Sequence, residues 1–148
     1  MINFFKPEEE QLIISAIRKA ESKTSGEIRV HLEKDPNNAA LKEAKRVFRR
    51  LGMHKTENRN GVLIILLPQK KTFAIIGDEG IDQRVDADFW DSERDLMQGY
   101  FREGQFCAGL VAAIDKIGEK LKLFFPYEED DINELPDDIS YSSDRNIT

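Results

Sequence analysis

The stretch GDEGIDQRVDADFWD, residues 77 to 91, sets six carboxylates (Asp78, Glu79, Asp82, Asp86, Asp88 and Asp91) against a single base, Arg84. Acids at this density can form an ion-binding loop, part of a catalytic site or a solvated connection. A calcium EF-hand needs oxygen ligands at positions one, three and five, glycine at six and glutamate at twelve. Counted from Asp78, the first three positions are Asp78, Gly80 and Asp82, but Gln83 stands where glycine is required and Phe89 where glutamate is. The stretch is therefore no self-contained EF-hand. It lacks the third glycine of a dinucleotide fingerprint as well. Asp86 and Asp88 have the spacing of paired phosphoryl-transfer aspartates, yet IDQRV before them is a poor apolar strand.

Two readings stand. Asp88 caps a helix that begins near residue 89, accepting its free N–H groups. Alternatively, the loop bends at Gly77 and Gly80, exposes carbonyl oxygens, and gathers carboxylates that repel one another until a hard cation neutralises them.

Other reactive residue types offer less. Cys107 is the lone cysteine, so no internal disulfide and no CxxC pair exists. It falls beside an apolar helical stripe and reads as a structural thiol. His31 and His54 lack HExxH or comparable spacing and read as surface or packing residues. Ser25 precedes Gly26 without a GxSxG elbow. No nucleophile–base pair emerges, and the catalytic residues stay unassigned.

The elements that must position these residues are legible from periodicity. Pro7 suits an early helical position, and Glu8, Glu9 and Glu10 follow near the positive helix end, with Ile13, Ile17 and Ala20 on one face. GEIRVHL alternates, placing Ile28, Val30 and Leu32 on one side and Glu27, Arg29 and His31 on a polar side. DPNN is a turn in which Asn37 or Asn38 can cap a helix carrying Leu41, Ala44, Val47, Phe48 and Leu51. VLIILL reads as a central strand covered on both faces, and PQKK as a hairpin connection to an antiparallel strand, TFAII. Leu96, Met97, Tyr100 and Phe101 mark a further helix, and Phe106, Leu110, Ile114, Ile117, Leu121 and Phe124 a long final one. The expected fold is α/β: a three-layer α/β/α sandwich, four helices around a small mixed sheet.

At 148 residues the chain suits one domain. The formal charge of -6 is unevenly spread. Residues 126 to 148 hold eight acids and one base, which leaves 20 acids and 21 bases in residues 1 to 125. We read 1–125 as the globular domain and 126–148 as an acidic, flexible tail able to meet a protein partner. The acidic balance disfavours nucleic acid. KRVFRR, residues 45 to 50, is the strongest basic patch and reads as a solvated helix face. No apolar run is long enough to span a membrane, and the start of the chain lacks a signal-like segment, so a soluble, cytoplasmic monomer is expected.

In order, TSGEIRVHL, then RNGVLIILLPQKKTFAIIGDEGI, then DFWDSERDLMQGYFREGQFCAGLVAAIDKIGEKL resemble the TPM domain family over roughly residues 7 to 124, and its soluble bacterial stand-alone members most. The resemblance implies an α/β/α fold. It also implies binding of calcium or related divalent ions by some members, and acid phosphatase activity for a plant relative concerned with photosystem II maintenance. The family's recurring polar positions match Glu27, Asn60, Gly61, Gly77, Gly80 and Asp88; the chain departs from it where RNG replaces DNG. Joined to Asp78, this gives an expected metal site of Glu27, Asn60, Asp78 and Asp88. An oxygen set of this kind suits Ca2+ or Mg2+ rather than zinc. The leading expectation is a divalent-cation-binding accessory or interaction domain. The alternatives are a weak metal-dependent acid phosphatase of phosphomonoesters, with Asp88 or Glu27 as base, and a purely structural domain.

Overall fold

A computed structural model describes residues 4–34, 36–127 and 139–141. Its most constrained element is β2 (Gly61–Leu67), buried at every position. A strand this apolar must be covered on both faces. Residues 62, 64 and 66 join Ile28, Val30 and Leu32 of β1 (Glu27–Leu32) in one core, under α1 (Pro7–Glu21), α4 (Asp91–Arg102) and α5 (Phe106–Phe124). Residues 63, 65 and 67 form a second core with Ala44, Val47 and Phe48 of α2 (Ala40–Arg50). The result is the expected α/β/α sandwich.

The sheet order is β3-β2-β1-β4. β1 and β2 run parallel, with Glu27 beside Gly61 and Leu32 beside Leu66. Parallel neighbours need a crossover, which α2 supplies while covering one face. β3 (Thr72–Gly77) returns antiparallel to β2 through a short 3-10 turn, Pro68–Lys70, as the hairpin reading requires. α3 (Glu79–Asp82) follows, a fifth helix too short to carry a periodic signal.

Three local expectations change. The polar side of β1 faces the interior: Glu27 and His31 are buried. Neither Asn37 nor Asn38 caps α2, whose N-cap is Ala39; Asn38 instead donates to the buried Glu43 carboxylate at 3.0 Å. Burial pushes Glu43 up, but bonds from Arg46 and Asn38 outweigh it and hold the carboxyl below its usual range. Lastly, Ile139–Tyr141, inside the segment read as a flexible tail, form β4, a buried edge strand parallel to β1. Residues 128–138 and 142–148, on which the rest of that reading falls, lie outside the described residues.

β4 brings Ser140 against His31. The imidazole Nδ1 lies 2.7 Å from Ser140 Oγ and Nε2 lies 2.8 Å from Glu33 Oε1. Nε2–H donating to the carboxylate leaves Nδ1 to accept the serine hydroxyl. Burial lowers the His31 pKa below its ordinary 6.5; the Glu33 hydrogen bond and charge oppose this, and the charges of Arg29 and Arg46 reinforce it. A folded-state pKa below the unfolded one means that the unfolded chain gains its proton first on acidification. Stability from this residue is therefore complete above the unfolded value and declines as pH falls below it. The urea midpoint should drop between about pH 7.5 and pH 5.5, a window above the carboxylate range, and His31→Gln should flatten that slope.

Small residues let the helices approach. A Cβ added at Gly118 on α5 would lie 2.7 Å from Ala20 Cβ and 3.0 Å from Ala20 Cα, with no flexible group to yield. Gly99 on α4 has nothing within 4 Å. Gly118→Ala should therefore destabilise by about 1–3 kcal/mol despite its helix propensity, while Gly99→Ala should stabilise by about 0.5–1 kcal/mol, both read by chemical denaturation.

Candidate functional site at the loop crossing

The parallel register of β1 and β2 and the hairpin from β2 to β3 bring three chain segments to one end of the sheet. Glu27 N–H donates to Asn60 C=O at 3.4 Å, and Asp78 N–H to Gly61 C=O at 2.9 Å. Glu27, Asn60 and Asp78 thus stand side by side, 4%, 2% and 6% exposed, so each polar group needs a partner inside the protein. Asn60 Nδ2 donates to Ser25 Oγ at 3.3 Å. The backbones of three of the four residues expected to share a site meet at this end of the sheet.

Asp88 is not brought into this group. It is exposed in the turn before α4 and shares no ladder pair, hydrogen bond or cavity wall with the other three among the described residues. Nor does its side chain cap the helix: α4 begins at Asp91, with Trp90 at its N-cap and no side-chain cap. The capping carboxylate is Asp78, whose Oδ1 accepts Glu79 N–H at 2.8 Å at the start of α3.

The segments 56–60 and 78–83 cross in direct backbone contact. Gly80 N–H donates to Arg59 C=O at 2.9 Å, and a Cβ on Gly80 would fall 2.3 Å from Asn58 O and 2.5 Å from Arg59 O. Only glycine permits that approach. Arg59 itself holds the left-handed region at φ 50°, uncommon for a side chain of its kind. In that pose its guanidinium grips Asp78 by both oxygens, Nε to Oδ2 at 2.8 Å and Nη2 to Oδ1 at 2.9 Å, and reaches Glu79 Oε1 at 3.0 Å. The fork matches carboxylate geometry and secures a buried charge; the contact with exposed Glu79 adds little.

Asp82 ends α3 with its carboxyl pushed up, first by burial and then by the charge of Asp78, against the pull of Lys45. Behind the crossing lies a cavity of about 330 Å³ lined by Ser25, Asn58, Gly80, Gln83 and Arg84. Among the described residues, no three His, Cys, Asp or Glu side chains are grouped to hold a metal ion. The reason at Asp78 is plain: Arg59 already supplies the positive charge that a cation would bring. Arg59 is the residue that the sequence pattern did not place here; its position in RNG, where the family resemblance implies DNG, was the available signal.

The other singled-out residues take structural places. Cys107 is half-buried with Sγ 3.7 Å from Glu9 O, and burial pushes its thiol up. Among the described residues, no helix is long and apolar enough to cross a membrane.

A family model described as TPM domain matches residues 2–120. Among solved structures, BA42 protein from the psychrophilic bacterium Bizionia argentinensis is 48% identical, with a TM-score of 0.89 over 95% of this chain and 97% of that one. The N-terminal domain of a P. gingivalis protein (18% identity, TM-score 0.70, 86% of this chain and 83% of that one) shares the fold. So does the N-terminal domain of a Corynebacterium glutamicum protein (12% identity, TM-score 0.63, 91% of this chain and 79% of that one). No curated protein matches the chain.

The crossing makes a direct prediction. Gly80→Ala should shift the amide resonances of residues 57–61 and 77–83 together and cost at least about 2 kcal/mol in a urea titration, because neither backbone can yield alone.

Proposed function

We propose a function from one premise: the chain belongs to the TPM domain family. The proposal is a divalent-cation-binding accessory domain, with calcium or magnesium held weakly at the loop crossing in competition with Arg59. What supports it is the number of oxygen groups near this end of the sheet: Asp78 at the N-cap of a short helix that carries Glu79 and Asp82, and the backbone carbonyls of Asn58 and Arg59 against Gly80. Hard oxygen donors in this number suit a hard cation. The residues fit one only by exchange, because Asp78 must first release the guanidinium. Exchanging one positive partner for another keeps the buried carboxylate neutralised but gains little free energy, so affinity belongs near the weak, roughly millimolar end of calcium sites.

The phosphomonoesterase reading has less support. Arg59 is taken up by Asp78 and Glu79, and the bases without an ion pair among the described residues, Lys45 and Arg49, share a cleft with Asp82 and Asp86, which would repel a phosphate dianion.

Amide NMR of the full chain during calcium and magnesium titration tests the proposal. Saturable shifts should concentrate in residues 58–61 and 77–83 at about millimolar ion, Asp88→Ala should leave them unchanged, and Arg59→Gln should tighten binding several-fold by freeing Asp78. Absence of saturable shifts, or weaker binding in Arg59→Gln, would sink it.

A further inference from the structure

Arg84 is the single base of the stretch 77–91, yet among the described residues it pairs with none of the acids around it. Its guanidinium is held from elsewhere. Nη1 donates to Phe124 C=O, at the end of α5, at 2.8 Å, and the group lies 4.6 Å from the centre of the Phe125 ring. A carbonyl bond and a ring contact together orient a planar cation that would otherwise sample many rotamers. The Nε–H and Nη2–H edge is left without a partner among the described residues. Arg59 grips Asp78 with that same edge.

Arg84 lines the cavity of about 330 Å³ behind the crossing, near the lower end of small-ligand sites. No acidic residue lines it; Asp78, Glu79, Asp82 and Asp86 border a different cleft. The other polar walls are Ser25, Asn58 and Gln83. Ser25 Oγ accepts from Asn60 Nδ2 at 3.3 Å, so its hydroxyl proton remains to donate. The exposed carboxamides of Asn58 and Gln83 make no hydrogen bond among the described residues. One fixed guanidinium thus stands among neutral groups that can each donate a hydrogen bond.

We propose that this cavity binds a small polar monocarboxylate of the hydroxy-acid class: Arg84 holds the carboxylate, and Ser25, Asn58 and Gln83 bind the hydroxyl groups of the remainder. The guanidinium fork matches two carboxylate oxygens. A single positive charge balances a single negative one. A phosphate dianion would keep an uncompensated charge beside the carbonyl end of α5, where the helix dipole is negative. Carboxamides both donate and accept, as a hydroxyl requires, and a bare aliphatic chain would leave them unpaired. Arg84 is exposed, so water screens the pair and affinity belongs in the roughly millimolar range. Asn58 and Gly80 border both this cavity and the crossing, so a carboxylate here and a cation there would be neighbours. The carboxylate site needs no cation, and its test is run without one.

The test follows the NMR spectrum of the full chain, in buffer stripped of divalent ions, as sodium gluconate is added at constant ionic strength. Saturable shifts are expected at the Ser25, Gly80 and Gln83 amides and at Arg84 Nε–H, half complete at about 1–10 mM. Gluconamide keeps the hydroxyls without the charge, and hexanoate keeps the charge without the hydroxyls; each should bind at least about fivefold more weakly. Arg84→Gln should reduce gluconate to the affinity of gluconamide, a coupling that mere destabilisation does not produce. Gln83→Glu, which sets an acid in the wall, should weaken gluconate about threefold to tenfold. Both positions are exposed, and the same spectra report whether each variant is folded. The proposal is overturned by no saturable shift up to about 50 mM gluconate, by equal affinity for gluconate and gluconamide, by undiminished binding in Arg84→Gln, or by inorganic phosphate binding more tightly than gluconate.

Discussion

Burial of β2 on both faces is the constraint from which the rest of this molecule follows. Seven consecutive buried residues require a helical layer above and another below. That requirement fixes α2 as the crossover on one side and draws α1, α4 and α5 to the other. It also buries the polar side of β1, which must then find partners within the protein. Glu27 and His31 on β1 are buried, as is Glu43 on α2.

The same geometry converts a sheet end into a polar junction. With β1 and β2 parallel and β3 antiparallel, the start of two strands and the end of a third meet there. Loops leaving such a point must cross, and they cross at a glycine lying on two carbonyl groups. Arg59 then neutralises the carboxylate that this arrangement buries. A guanidinium and a hard cation are alternative answers to one electrostatic problem. This chain carries the first in its own sequence, and that is why an acid-rich loop here does not by itself make a metal centre.

Much of the fold was legible in advance because it rests on short-range patterns. The stripe from Phe106 to Phe124, the alternation in EIRVHL, the unbroken run VLIILL and the hairpin after it each express a period or a turn within a few residues. The acids of residues 77–91 were legible as a group but not in their roles. Asp78, not Asp88, is the cap, because the chain turns into α3 directly after β3 and α4 starts only at Asp91. Asn38 was legible as a polar residue before a helix, yet its amide serves the buried Glu43 instead of the helix end.

By itself, the sequence determined the class of fold, the family and the oxygen-rich character of one sheet end, since hydrophobic period and motif order survive without knowledge of contacts. Tertiary structure alone decided which charges meet. Arg59 reaches Asp78 across 19 positions, and Ser140 reaches His31 across 109. Three residues of an acidic segment become an edge strand because β1 offers an open ladder, not because ISY has a strong strand signal. Lys45 and Arg49 face Asp82 and Asp86 across a cleft because α2 and the segment after β3 flank the same strand edge. Such pairings depend on distance in space, and a linear pattern carries no measure of that distance.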